Sequence, residues 1–354
     1  MPARIRADLE SLPVYIPGRS LPGAIKLASN EVSAGPLPSV VAAIAAAAAE
    51  INRYPDNGVI ALLERLATRL GVPPLQLTLG AGSVTLCQQL VAATCGRDDE
   101  VLFAWRSFEA YPLLAQVAGV RHRMVPLRPD HTHDLPAMLD AITPATRLVF
   151  VCNPNNPTGT TVSRAELVAF LDAVPDGVLV ALDEAYHEFV TDPEVPDGVA
   201  LNRDKALGRD NLVVLRTFSK AYGLAGLRVG YCMAPEPVIT ALRKVHVPFS
   251  VNSLAQTAAL ASLDVADELL ARCRAIATER VRVRAELLAM GYEVPPSQAN
   301  FVWLPLGERT AAFNDHCLAH KIVVRAFVGD GARITVGDPD ENEAFLAAAK
   351  SFPS

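Results

Sequence analysis

From about residue 76 to residue 233, short runs rich in β-branched residues alternate with longer stretches whose apolar positions recur at helical spacing. A period that switches back and forth in this way predicts a mostly parallel sheet wound by helices. Strands are expected at LTLG, EVLFAW, RHRMVPL, TRLVFVCN, GVLVALDE, NLVVLRTF and LRVGYCMA, with amphipathic helices such as SVTLCQQLVAATC and SRAELVAFLDAV between them. Beyond Pro248 the pattern changes. A long helical stretch is expected from about Asn252 to Met290, then short strands NFVWLP, KIVVRA and ARITVG, with a helix near 310 to 320. We therefore expect a large α/β domain over 36–248. A smaller α+β domain would comprise 249–354 together with 1–35, whose Pro- and Gly-rich chain forms an arm across the two.

Composition narrows the function. The chain has 354 residues, 51% of them hydrophobic, enough for a large core and a smaller second one. Lys and Arg total 32 against 38 Asp and Glu, a net charge of -6, so nothing favours nucleic acid or an anionic membrane as partner. Small-molecule chemistry is expected instead. Cys87, Cys95, Cys152, Cys232, Cys273 and Cys317 form no C-x-x-C pair, a pattern that suits the reduced thiols of a cytoplasmic protein. The opening MPARIRADLE has no apolar core, so neither a signal peptide nor an anchor is expected. VVAAIAAAAAEI is too short to span a bilayer and predicts an alanine-rich helix.

Three polar clusters each follow the carboxyl end of an expected strand: NPNNPTG after LVFVC, DEAY after VLVAL, and TFSK after NLVVL. Alone, each has a plain explanation: turn chemistry, a helix cap, a solvated lysine. In an open α/β sheet, however, the ligand crevice lies outside the carboxyl ends of the strands, so one groove collects all three. Lys220, in an apolar and Gly-rich stretch that also carries Arg228, has the surroundings that lower an amine's pKa for Schiff-base chemistry. A pyridoxal cofactor needs such a lysine, and a carboxylate against its pyridine nitrogen, for which Asp183 is suited. The Asn156 amide and the Tyr186 phenol can serve the ring oxygen. GAGSVT before the 83 to 95 helix offers backbone amides for a phosphate, with Thr217, Ser219 and Arg228 as further donors.

TFSKAYGLAGLRVGY, with NPNNPTG, DEAYHEF and the late ARITVG, resembles the pyridoxal-phosphate aminotransferases of fold type I, in the histidinol-phosphate aminotransferase group. The resemblance runs over nearly the whole chain. NRYPDNG, GSVTLCQQL, WRSFEAYP and PPSQANFVWLPLG are most similar to the actinobacterial aromatic amino acid (phenylalanine) aminotransferases. It implies an aspartate aminotransferase-like α/β fold, pyridoxal 5'-phosphate as cofactor, amino acid and 2-oxo acid substrates, and a homodimer. Lys220 would carry the Schiff base and shuttle the substrate proton; Asp183 would pair with the ring nitrogen; Tyr186 and Asn156 would bond the ring oxygen. Gly82, Ser83 and Val84 would cradle the phosphate with Thr217, Ser219 and Arg228, and Phe108 would stack on the ring. Tyr54 would reach the phosphate held by the neighbouring subunit. Arg333 would take the substrate carboxylate, with Arg325, Tyr15 and Asn30 on the substrate side. One departure is that Val84-Thr85 stands where many members carry an acidic pair, which spares the backbone contacts.

An aromatic donor with 2-oxoglutarate as acceptor is the first expectation and histidinol phosphate the second; Arg325 suits either. A decarboxylase on the same fold, or a regulator with an added basic domain, fits less well. GAGSVT lacks the third glycine of a dinucleotide fingerprint. His131 and His133 predict a solvated loop rather than a metal site, Cys152 a buried strand residue, His187 and Glu188 structural roles, and Trp105 packing at a strand end.

Overall fold

The computed structural model describes residues 5–10, 21–204 and 210–353. Its strands are β1 (Ile25–Lys26), β2 (Leu77–Gly80), β3 (Glu100–Trp105), β4 (Arg121–Pro126), β5 (Thr146–Cys152), β6 (Leu179–Asp183), β7 (Leu212–Thr217), β8 (Gly230–Met233), β9 (Phe301–Leu304), β10 (Ile322–Val323), β11 (Arg325–Phe327) and β12 (Gly331–Thr335). Seven of them form one sheet in the order β2-β8-β7-β6-β5-β3-β4. Only β8 opposes its neighbours β2 and β7; the remaining pairs are parallel.

Helices cover both faces, and the central strands are accordingly apolar throughout instead of alternating. Along β6, Val180 and Leu182 join one core cluster while Leu179 and Ala181 join the other, as a period of two requires. From β3 the chain first goes outward to β4 and then returns to lay β5 on the opposite side of β3. That reversal opens a crevice at the carboxyl ends of β3 and β5. The alanine-rich segment forms the helix Pro38–Ala47, packed on the helix Ser253–Asp264, where small side chains on both allow close approach.

Two expected elements divide. The long helical stretch is two helices, Ser253–Asp264 and Ala266–Ala289, separated at Val265, whose backbone is not helical. KIVVRA is apolar without interruption and reads as one strand, yet β10 pairs in parallel with β1 while β11 pairs antiparallel with β12. The two halves find different partners, both distant in the chain. Strands β11-β12-β9 form a three-stranded sheet over a third core that includes Leu287, Phe313 and Phe345. Each such fully buried Phe contributes roughly 2–3 kcal/mol by leaving water. Through β1, the segment that follows is carried between this sheet and the seven-stranded one.

Candidate functional site

A cavity of about 600 Å3 opens where β3, β5, β6 and β7 end, and its lining includes Lys220, Asp183, Asn156, Tyr186, Arg228 and Arg333. The sheet delivers the first four from the ends of three adjacent parallel strands, Asp183 as the last residue of β6 and the others from the loops that follow β5, β6 and β7, and β12 supplies Arg333 from the other sheet.

Lys220 is partly buried, with its Nζ donating to Ser29 O at 2.9 Å. Burial brings its pKa down to about 7; Arg333 adds to the effect more than Arg228 does, and Glu31 opposes it. The cation that most depresses this amine is therefore not the expected Arg228 but Arg333, brought in by the tertiary fold. A substantial fraction of the amine is neutral at neutral pH.

Asp183 ends β6 fully buried. Its Oδ2 accepts from Tyr111 Oη at 2.8 Å and its Oδ1 from the Ala185 amide at 3.2 Å. Burial nevertheless raises the carboxyl to about 6, with those two bonds pulling the other way. Tyr111 was not singled out by sequence. Its ring stacks on Phe150 at 4.4 Å and meets Phe108 edge-on at 5.5 Å, so in an apolar helix it passes for a core residue. The pairing of two aromatics in FEAY, three positions apart at the start of a helix, was the available signal.

Tyr186 accepts from Asn30 Nδ2 at 2.9 Å, and burial holds its phenol up at about 12. Asn30, buried with φ 55, has its amide on Thr335 Oγ1 at 2.9 Å and its carbonyl on Asn300 Nδ2 at 3.1 Å. Arg333 donates to Asn156 Oδ1 and, at 2.7 Å, to Ala28 O. The turn that carries Asn156 is itself braced: Asn155 accepts from Ser107 Oγ and donates to Thr158 Oγ1, each at 2.8 Å.

The helix Ser83–Thr94 starts at the cavity without a side-chain cap. Gly82 before it has φ 83, where a side chain is strained, and a Cβ on Gly230 would sit 2.7 Å from the Ser83 nitrogen. The two glycines thus keep the uncapped amides open. Arg228, itself at φ 61, donates to Ser219 Oγ at 3.2 Å, and Thr217 Oγ1 accepts from the Ser219 amide at 3.1 Å. Amides at a helix start, two hydroxyls and a guanidinium suit a phosphate dianion. A buried carboxyl poised near 6 suits a protonated ring nitrogen, and a neutral amine between them suits an aldehyde. The residues present fit a phosphorylated pyridine aldehyde.

Phe108 and Glu109 line the cavity from the loop after β3, and Arg325 faces Glu109 with Nη2 2.8 Å from Oε2. Tyr54 does not line the cavity of its own chain; it is 82% exposed and stacks on Phe249 at 4.6 Å. Tyr15 lies outside the described residues. Thr85, at the departure from the acidic pair, donates to Ala81 O at 3.0 Å.

Cys152 is buried at the cavity wall, its thiol pushed up by burial. His187 faces Asp197 at 3.6 Å, Glu188 is raised by burial, and Trp105 packs edge-on to Phe103. The solvated-loop expectation fails for His133, which is buried, and desolvation brings it to about 4. The loop is tucked against the NPNNPTG turn, where Thr160 Oγ1 donates to His131 O. Among the described residues no group of three metal-ligating side chains occurs, and no helix is long and apolar enough to cross a membrane.

The family of class I and II aminotransferases matches residues 22–348. The chain is 61% identical to a curated aromatic amino acid aminotransferase of Rhodococcus jostii, covering 99% of this chain and 96% of that protein. It is 57% identical to one of Mycobacteroides abscessus over 99% and 100% of the two chains. Among solved structures, a histidinol-phosphate aminotransferase from Sinorhizobium meliloti in complex with pyridoxal-5'-phosphate superposes with a TM-score of 0.89 at 29% identity, covering 99% of this chain and 98% of that one.

Proposed function

Because the chain belongs to the class I and II aminotransferases, we propose that it moves the amino group of an aromatic L-amino acid, phenylalanine or tyrosine, to 2-oxoglutarate in two half-reactions. Pyridoxal 5'-phosphate is the proposed cofactor; when bound it supplies an aldehyde for the amine and a ring that spreads the charge developing at the substrate Cα. Lys220 Nζ, displaced by the incoming amine, would take the proton from the substrate Cα and deliver it to the carbon that had carried the aldehyde, so the proton is moved and none is left over. Asp183 would hold the ring nitrogen protonated, with Tyr111 fixing the carboxylate's orientation. Tyr186 and Asn156 would bond the ring oxygen, and Phe108 would pack against the ring. The Ser83 and Val84 amides after Gly82, with Thr217, Ser219 and Arg228, hold the phosphate. Arg333 grips the substrate α-carboxylate, and Asn30 braces Tyr186 from the substrate side.

The observation that carries this assignment is the meeting of Lys220, Asp183 and Arg333 in one cavity. The aromatic donor is supported by the relatives of that name at 57% and 61% identity. Histidinol phosphate is the second candidate, supported by the name of the Sinorhizobium meliloti structure and by Arg325. We further propose a homodimer in which Tyr54 reaches the partner's cofactor phosphate, a division into 36–248 and 1–35 with 249–354, and a cytoplasmic setting in keeping with six unpaired thiols.

The deciding experiment compares kcat/KM for phenylalanine and histidinol phosphate with 2-oxoglutarate as acceptor. Phenylalanine is expected to lead by at least about tenfold, which corresponds to ~1.4 kcal/mol; a clear lead for histidinol phosphate replaces the assignment.

A further inference from the structure

Arg325 is engaged before any substrate arrives. Its Nη2 lies 2.8 Å from Glu109 Oε2, joining the start of β11 to the residue that precedes the helix Ala110–Ala118. In the β11-β12 ladder Arg325 stands directly opposite Arg333, so two guanidiniums share one face, with the Phe327 ring 5.6 Å from one and 5.8 Å from the other. Like charges opposite one another on paired strands repel. Glu109 offsets one of them at the cavity wall.

The two proposed substrates make opposite demands here. An aromatic amino acid brings one carboxylate, for Arg333, and an apolar ring that must lie where a bare Arg325 would lose its hydration without compensation. A 2-oxo dicarboxylic acid brings a second carboxylate that needs Arg325 and is repelled by Glu109. We propose that Glu109 is a specificity-determining residue: a resident counter-ion that occupies Arg325 while an aromatic side chain is bound and yields it to the distal carboxylate of the acidic substrate. This rests on the transamination proposed above and supplies what lets one pocket serve both partners. The side chains of Arg325 and Glu109 retain 22% and 36% of their exposure, so one carboxylate replaces another in a partly solvated setting where such exchanges are nearly balanced.

Glu109→Gln removes the charge and keeps the shape. The test measures dissociation constants of the holoenzyme for two unreactive probes, glutarate and 3-phenylpropionate, in wild type, Glu109→Gln, Arg325→Gln and the double variant. Glu109→Gln is expected to bind glutarate about tenfold more tightly and 3-phenylpropionate a few-fold more weakly. In the Arg325→Gln background, Glu109→Gln should leave the preference between the probes unchanged, because the two side chains act as one unit. Equal changes for both probes, weaker glutarate binding, or a glutarate gain that persists without Arg325 would each overturn the proposal. Failure of wild type to turn over phenylalanine would instead refute the proposed reaction, whereas the probe ratio judges Glu109 whatever the turnover.

Discussion

Asp183 and Lys220 are held by the same burial at opposite protonation costs. Asp183 is raised from 3.8 to about 6, so its contribution to stability is full below its unfolded value and is lost as pH rises through about 6. Lys220 is lowered from 10.5 to about 7, so its penalty is full below about 7 and fades as pH rises towards its unfolded value. In the cofactor-free protein both penalties are in force between about 6 and 7, the range where cofactor removal should destabilise most. Lys220→Met should therefore stabilise the cofactor-free protein near neutrality by roughly 2–4 kcal/mol, an advantage that shrinks as pH rises above about 7; thermal melts across pH would read it, and a pH-independent difference would count against it. Tyr111→Phe removes a hydrogen bond to a charged group, worth about 1.5–3 kcal/mol. It should lower kcat/KM by about tenfold and move the acid limb of the pH profile upward. Lys220, Asp183, Asn156 and Tyr186 were legible in the sequence because each follows a strand end within a few residues. Tyr111 was not, because its partner lies 72 positions away and a tyrosine in an apolar helix announces only packing.

Elements position these groups through backbone contacts that tolerate no extra atom. Gly230→Ala would bring a Cβ to 2.7 Å of the Ser83 nitrogen and displace the start of the Ser83–Thr94 helix. It should cost roughly 1–3 kcal/mol of stability and weaken cofactor binding at least tenfold, checked by melting and by cofactor titration; unchanged affinity would argue against phosphate at that helix start. The seven strands of the large sheet were legible to within about three residues, the central parallel ones because buried strands of that kind are continuous apolar runs bounded by turn residues. The division of KIVVRA between β10 and β11 was not, and neither was the burial of His133 in a segment whose neighbours are polar. Both depend on which other part of the chain covers the segment.

At the scale of the whole molecule, Tyr54, Phe249, Ile51 and Val247 are all exposed, with Tyr54 and Phe249 stacked on one another, an apolar surface suited to a second copy of the chain. If Tyr54 completes the partner's site, mixing two defective proteins restores function. Lys220→Ala and Tyr54→Ala homodimers should each be impaired, and subunit exchange should regenerate heterodimers with one intact site, recovering up to about a quarter of wild-type activity for random pairing. No recovery despite exchange would place Tyr54 in its own subunit's site. By itself the sequence determined the winding of the sheet, the strand ends where polar residues gather and the chemical types assembled there, because hydrophobic period and turn chemistry are local. Only the tertiary structure decided that burial lowers Lys220 with Arg333 adding more than Arg228, that Tyr111 donates to Asp183, and that Glu109 pairs with Arg325. Those energies depend on distance through a low-dielectric interior between residues far apart in the chain, and linear spacing encodes neither the distance nor the dielectric.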